Sequence, residues 1–352
     1  MELTSFFADR TVRAMIGNFA TIFSAVGGCG LLLTRKAESK SLGFLAATTC
    51  SCAPKKATED FWLGWAVCWV CSFGVIIGFG MYEWFDRWHY LLVCGGLVAP
   101  LILQPILWPG LTGEAKVPWH ERHSFKANVW IAIFSFIGNW WYTHYFYSVL
   151  EASYSMPGHD VNAVPIAMFL ATHFYFTLYH ALAAKALRAV TKLYQPGLGR
   201  STFVCALVAA MAYSTAFTES ATISAYPCYR FSDIHQAYTL GSAFYGIYFI
   251  VSYPLFFDLD EPPEGEPASA KAAPDNLSAK AKASSNLALN YSDRWVYSLR
   301  RCVLEALGAG MAVLMLLDAV RVWLEIPLAI ALERPCKADP SLTCAPFTGG
   351  AC

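Results

Sequence analysis

The sequence is short of charge. Lys, Arg, Asp and Glu together supply 14% of its 352 residues, against about 25% in ordinary soluble domains. Those charges cancel to a formal net of zero and form no basic stripe, which argues against nucleic acid as a partner. Cofactor motifs are missing as well: there is no phosphate-cradling glycine loop, no dinucleotide fingerprint and no G-x-S-x-G nucleophile elbow. The chain has eight histidines, none next to another. His120 and His123 sit in a polar stretch, and His173 and His180 are seven residues apart, so the dense histidine boxes of membrane di-iron oxidases are absent. Neither a metal nor any other cofactor is expected. No internal repeat marks an inverted-repeat transporter.

Apolar residues are what the chain has in quantity, 56% of the total, with 15% aromatic. They gather in seven runs of spanning length: Phe61–Tyr82, His89–Pro109, Ala127–Leu150, Asn162–Ala184, Thr202–Tyr226, Ala237–Phe257 and Cys302–Leu324. About 20 apolar residues cross a hydrocarbon core as a helix. The predicted fold is therefore all-α, a polytopic membrane bundle of about seven transmembrane helices. Lys and Arg choose its orientation. Lys55, Lys56, Lys116, Arg122, Lys126, Lys185, Arg188, Lys192 and Arg200 fall in alternate connections, as do Lys271 to Arg301. The other side holds only Arg87, Arg230, Arg334 and Lys337. The first side is cytosolic, and the C-terminus is lumenal.

Residues 1–56 precede the first run. Within them Met15–Leu33 is moderately apolar but broken by glycines, and reads as a signal anchor, a targeting sequence or an eighth span. Residues 57–332 form the transmembrane domain. The polar stretch Asp258–Asn290, rich in Pro, Lys, Ser and Glu, predicts a disordered cytosolic loop over 258–294. Residues 333–352 form a tail with Cys336, Cys344 and Cys352, where one lumenal disulfide is expected. Cys68 and Cys71 lie inside an apolar run and read as helix packing.

Ionisable groups inside a bilayer cost several kcal/mol each and need a reason. Glu83 ends the first run, His144 follows Trp140-Trp141-Tyr142, His173 is mid-span, and Glu219, Asp318 and Arg321 lie in the lumenal halves of theirs. Only His180 is clearly on the other side. Asp318 and Arg321 are three apart on one helix face and most simply pair with each other. His173, Thr177 and His180 share a face, as an interhelical polar seam or as site lining. Glu219, between Thr218 and Ser220, has no cation within a turn, and a lone carboxyl in hydrocarbon is expected to keep its proton. An acid, a base and many aromatic rings in a dry layer suit proton transfer on an apolar lipid through a cation, since ring faces attract positive charge.

Several strings carry a resemblance. Lys126-Ala-Asn-Val-Trp130, Gly138-Asn139, Thr143-His144-Tyr145-Phe146, Ala152-Ser153-Tyr154, Asn162-Ala-Val-Pro165, Thr172-His173 and Tyr179-His180 are similar to the cycloeucalenol cycloisomerase family, the cyclopropyl sterol isomerases of plants and algae. So are Tyr82-Glu83, Glu219, Phe244 to Ser252 with Pro254, Glu305-Ala-Leu-Gly308, Asp318 and Arg321. Two positions depart from the pattern: Glu151 stands where the family favours glycine, and Ile166 where a histidine is usual. The resemblance implies a cofactor-free, redox-neutral opening of a 9β,19-cyclopropyl sterol to a Δ8 sterol, cycloeucalenol to obtusifoliol. It also implies a multi-pass protein of the endoplasmic reticulum membrane, with the sterol and the bilayer as partners. No motif of the family labels the acid. Glu219 is the expected proton donor, with His144 or Glu83 as base or relay. Trp141, Tyr142, Tyr145, Tyr154, His173 and His180 are expected to line the sterol site, and Asn139, Asp318 and Arg321 to brace it. Two alternatives stand beside this expectation: another sterol double-bond isomerase, and a non-enzymatic seven-helix receptor, channel or lipid-binding protein.

Overall fold

The computed structural model describes residues 9–39, 41–224, 226, 228–264 and 296–327. Its long helices are α1 (Arg10–Leu31), α2 (Ala53–Gly78), α3 (Arg87–Leu107), α4 (His123–Ile137), α5 (Thr143–Leu150), α6 (Ile166–Leu193), α7 (Leu198–Ser224), α8 (Ser242–Asp258) and α9 (Leu299–Trp323). Local chemistry sets their starts. Asp9 accepts from the Thr11 and Val12 amides at α1, Asp86 from Trp88 and His89 at α3, and Ser298 from Arg301 at α9, each satisfying first-turn donors. Pro54 opens α2, where its missing N–H has no cost. Four two-residue strands, β1 (Ser153–Tyr154), β2 (Asp160–Val161), β3 (Val164–Pro165) and β4 (Tyr229–Arg230), pair antiparallel as β1 with β4 and β2 with β3.

Seven helices among the described residues are long and apolar enough to cross a membrane. Six of them match runs read from the sequence. The expected third span, α4 and α5 joined by a π-helical segment, Gly138–Tyr142, is not among the seven. α1 takes its place in that count. At one end of α1, Asp9 lies 3.8 Å from His235, and Val12, Met15 and Phe19 pack on Phe217, Ala221 and Tyr238. Just past the other end, the Lys36 amide bonds the Leu193 carbonyl at 2.9 Å. α1 thus runs the length of the bundle, and with the α4–α5 rod there are eight rods of spanning length. Its glycines do not break it, because a face rich in Val, Met and Phe finds a partner.

The end expected to face the cytosol is held by buried charge. Arg188 on α6 is fully buried and uses all five guanidinium protons. Nη1 and Nη2 reach Glu59 at 2.9 and 2.6 Å, Nε and Nη2 reach Glu261 at 2.7 and 2.8 Å, and Nη1 also bonds the Thr48 carbonyl at 2.9 Å. Lys55 donates to the carbonyls of Phe257 and Leu259 at 2.6 Å and pairs with Glu261 at 2.9 Å. Asp260 accepts from Lys126 and from the Tyr297 amide, and its Oδ2 lies 2.8 Å from His123 Nδ1. Asp260 and Glu261, at the start of the expected loop, are therefore held in ion pairs with the bundle. Cations on three helices, α2, α4 and α6, meet those carboxylates, and composition averaged over a window does not see the pairing. The rest of the expected loop, residues 265–294, and the cysteine tail lie outside the described residues. Burial alone would push these carboxyls up. Instead His123 and Lys126 hold Asp260 well below the carboxylate range, and Lys55 and Arg188 hold Glu261 at about 2.

Candidate active site

The opposite end of the bundle holds a carboxyl with no cation among the described residues. Glu219, on the last turns of α7, is buried. Tyr245 of α8 donates a hydrogen bond to its Oε2 at 2.8 Å, and Tyr179 of α6 brings a second hydroxyl to the same group. Desolvation without a countercharge favours the neutral carboxylic acid.

The backbone makes room beside it. π-Helical segments occur in two rods, Gly138–Tyr142 before α5 and Ala237–Gly241 before α8, and such bulges often mark functional sites. At Gly241 the rods approach so closely that a Cβ would stand 2.8 Å from Leu150 Cδ2. Between the rods, α6 and α7 lies a cavity of about 70 Å³ that Glu219 lines together with Asn139, Thr172, Tyr154, Tyr245 and Tyr248. Thr172 donates to Asn139 Oδ1 at 3.3 Å, and Asn139 Nδ2 bonds the Ser135 carbonyl at 2.9 Å, which ties α6 to α4 at the cavity wall. The β1–β4 pair closes the outer end: the Tyr229 hydroxyl donates to that of Tyr154 at 3.1 Å, and Tyr229 and Phe231 also face the cavity.

The other expected site residues fall in several places. Tyr142 and Tyr145 are buried but turn to α9, where their hydroxyls meet the carbonyls of Gly310 at 2.6 Å and Leu314 at 3.5 Å. Trp141 is 43% exposed. His144 is buried one residue past the cavity-lining Thr143, its ring near Trp141 and Tyr147. Its Nε2 lies 3.0 Å from Asn162 Nδ2, whose amide also bonds the Trp140 carbonyl inside the π segment. His173 and His180 form an interhelical seam: His173 Nε2 meets Asn128 Oδ1 at 3.0 Å, while His180 bonds the Phe176 carbonyl at 2.8 Å and Ser252 at 2.9 Å. Neither lines the cavity. Asp318 accepts from Arg321 Nη2 at 2.6 Å, a half-exposed pair on α9. Glu83 is exposed in the turn after α2, outside the cavity.

A curated protein of Arabidopsis thaliana named cycloeucalenol cycloisomerase is 33% identical over 273 residues, 77% of this chain and 86% of the relative. The chain belongs to the cycloeucalenol cycloisomerase family. Membership makes it an isomerase and, with its apolar helices, a multi-pass membrane protein. No protein-family model matches the chain, and no solved structure matches significantly. The family assignment also gives Glu151 a physical meaning. It ends α5 in the left-handed region at φ 46°, a conformation in which glycine has no Cβ penalty.

From sequence alone, no site role falls to Tyr179, Tyr245, Tyr248 or Tyr229, although the first three lie in strings that carry the family resemblance. Tyr245 and Tyr248 sit within the apolar Phe244–Ser252 string, where their i, i+3 spacing was the available signal. It had no stated use there, because in a chain with 18 tyrosines a shared face is common.

Proposed function

We propose that this protein opens the 9β,19-cyclopropane ring of a membrane-borne sterol, converting cycloeucalenol to obtusifoliol in the endoplasmic reticulum membrane. The observation that carries the reading is a buried carboxyl, Glu219, with no cation among the described residues, on the wall of an aromatic cavity.

Glu219 gives its proton to C19. The electrons of the C9–C19 bond form the new C19–H bond, and C9 is left electron-deficient. A base then takes the proton on C8, and that electron pair becomes the C8–C9 double bond. One proton enters and one leaves, so no redox partner is needed. The ring face of Tyr245 stabilises the cation, and a site without water leaves it nothing to add. Of the two candidate bases, we assign His144, which adjoins the cavity-lining Thr143, over the exposed Glu83. A cavity of 70 Å³ is well short of the roughly 300–1,000 Å³ of ligand pockets. Binding a tetracyclic sterol therefore moves the cavity wall.

The test is expression in a yeast that lacks the activity, fed cycloeucalenol and, separately, a Δ8 sterol. Appearance of obtusifoliol only from the first supports ring opening. Conversion of the Δ8 sterol alone points to a double-bond isomerase, and bound but unchanged sterol points to a carrier or receptor.

A further inference from the structure

Among the described residues, nothing bonds the hydroxyl of Tyr248. The residue is 3% exposed, its oxygen is buried, and it lines the same cavity as Glu219. Its neighbours fix the ring firmly: Tyr142 packs edge-on at 4.4 Å between centroids and Tyr245, which holds Glu219, at 5.0 Å. The other tyrosine hydroxyls around the cavity are engaged, Tyr245 with Glu219 and Tyr154 with Tyr229. A buried hydroxyl left unpaired costs folding free energy, and a phenylalanine would fill the same space without that cost. A cavity-lining residue whose buried hydroxyl is kept in this state is one that a ligand completes.

A sterol offers little to complete it. The molecule is hydrocarbon apart from one hydroxyl on its first ring. We propose that Tyr248 is the positioning residue that takes this hydroxyl and so sets the register of the cyclopropane against Glu219. This rests on the sterol reading above. Sites built to pair a substrate hydroxyl discriminate strongly against analogues lacking it, so Tyr248 also determines specificity for free sterols over 3-deoxy analogues and 3-O-esters.

The experiment is a two-by-two comparison of wild type and Tyr248→Phe with cycloeucalenol and its 3-deoxy analogue, in purified, detergent-solubilised protein. Tyr248→Phe should raise the sterol's KM about tenfold, 1.4 kcal/mol at 25 °C, with kcat little changed. It should leave the 3-deoxy analogue at wild-type values, since that substrate never used the hydroxyl. Without ligand, the melting temperature should hold or rise. An equal loss on both substrates, or a loss in kcat alone, would place the hydroxyl at the cation and overturn the proposal. A lowered melting temperature would do so too, by revealing a structural partner. Failure of wild type to turn over either sterol sinks the functional reading itself and is distinguishable from every one of these results.

Discussion

Glu219→Gln separates acid chemistry from shape. Gln keeps the size of the side chain, and its amide oxygen still accepts the Tyr245 hydroxyl that now stands 2.8 Å from Oε2. The buried site therefore keeps its packing, and folding stability should change by no more than about 1 kcal/mol. What disappears is the proton. General acids contribute about 10²–10⁴-fold, equivalent to roughly 3–5 kcal/mol of barrier. The loss should fall on kcat, with KM nearly unchanged, because the carboxyl acts in the transition state. Glu219→Asp keeps the acid but withdraws it by one methylene, and a displacement of about 1 Å can cost about 10² in rate. The assay is conversion of cycloeucalenol by matched amounts of membrane-inserted protein, with product read by gas chromatography and mass spectrometry. Glu219→Gln turning over within threefold of wild type would refute the assignment, whatever the Asp variant did.

The charged end gives three further expectations. Arg188→Met strands the Glu59 and Glu261 carboxylates that four guanidinium bonds now hold, and breaking such a buried pair costs about 3–5 kcal/mol. A thermal melt in detergent within about 1 kcal/mol of wild type would disprove that role. Glu261 sits at about 2 in the fold against an ordinary 4.5, because Lys55 and Arg188 outweigh its desolvation. Its lowered value means that its contribution, on the order of 3 kcal/mol, is complete above pH 4.5 and lost as pH falls towards 2. Stability that stays flat from pH 5 down to about 2.5 in such melts would contradict the sign. Glu151→Gly relieves a left-handed residue at φ 46° and should stabilise by roughly 1 kcal/mol. A drop in melting temperature would show that the exposed Glu side chain has a role beyond the turn.

The sequence made the apolar rods and the lone carboxyl legible for physical reasons that survive without coordinates. Twenty apolar residues and an unpaired Glu219 are local facts. The identity of the rods was less legible. α1 carries Gly17, Gly27, Gly28 and Gly30, which lower local helix propensity, and only its packing on Phe217 and Tyr238 shows why the helix persists. The π segment at Gly138–Tyr142 was hidden because one extra residue in a turn leaves hydropathy unchanged. His173 and His180 looked the same whether they faced a ligand or a neighbouring helix. Asn128 and Ser252 decide that, and both are distant in sequence. Glu83 falls where a span ends, and a residue at that depth can turn either way; the turn after α2 points it outward. Charge bookkeeping failed most at Asp260 and Glu261, since pairing joins residues more than 70 positions apart.

The two ends of the bundle differ in how firmly they are closed, and that difference bears on how a sterol gains access. At the charged end, α6, α2 and the chain leaving α8 are joined through Arg188, Glu59, Lys55 and Glu261, with every guanidinium proton used. Separating them would break several buried, hydrogen-bonded ion pairs at once. At the cavity end the closure among the described residues includes a two-residue strand pair, the Tyr229–Tyr154 hydrogen bond and aromatic side chains. A neutral hydrogen bond contributes only about 0.5–1.5 kcal/mol net, and aromatic contacts released there can be replaced by the ligand's own apolar surface. Enlargement of the 70 Å³ cavity therefore costs least at the end that holds Glu219, while the charged end keeps the helices in register. The acid can stay on a fixed helix, α7, as the wall opposite gives way to the sterol.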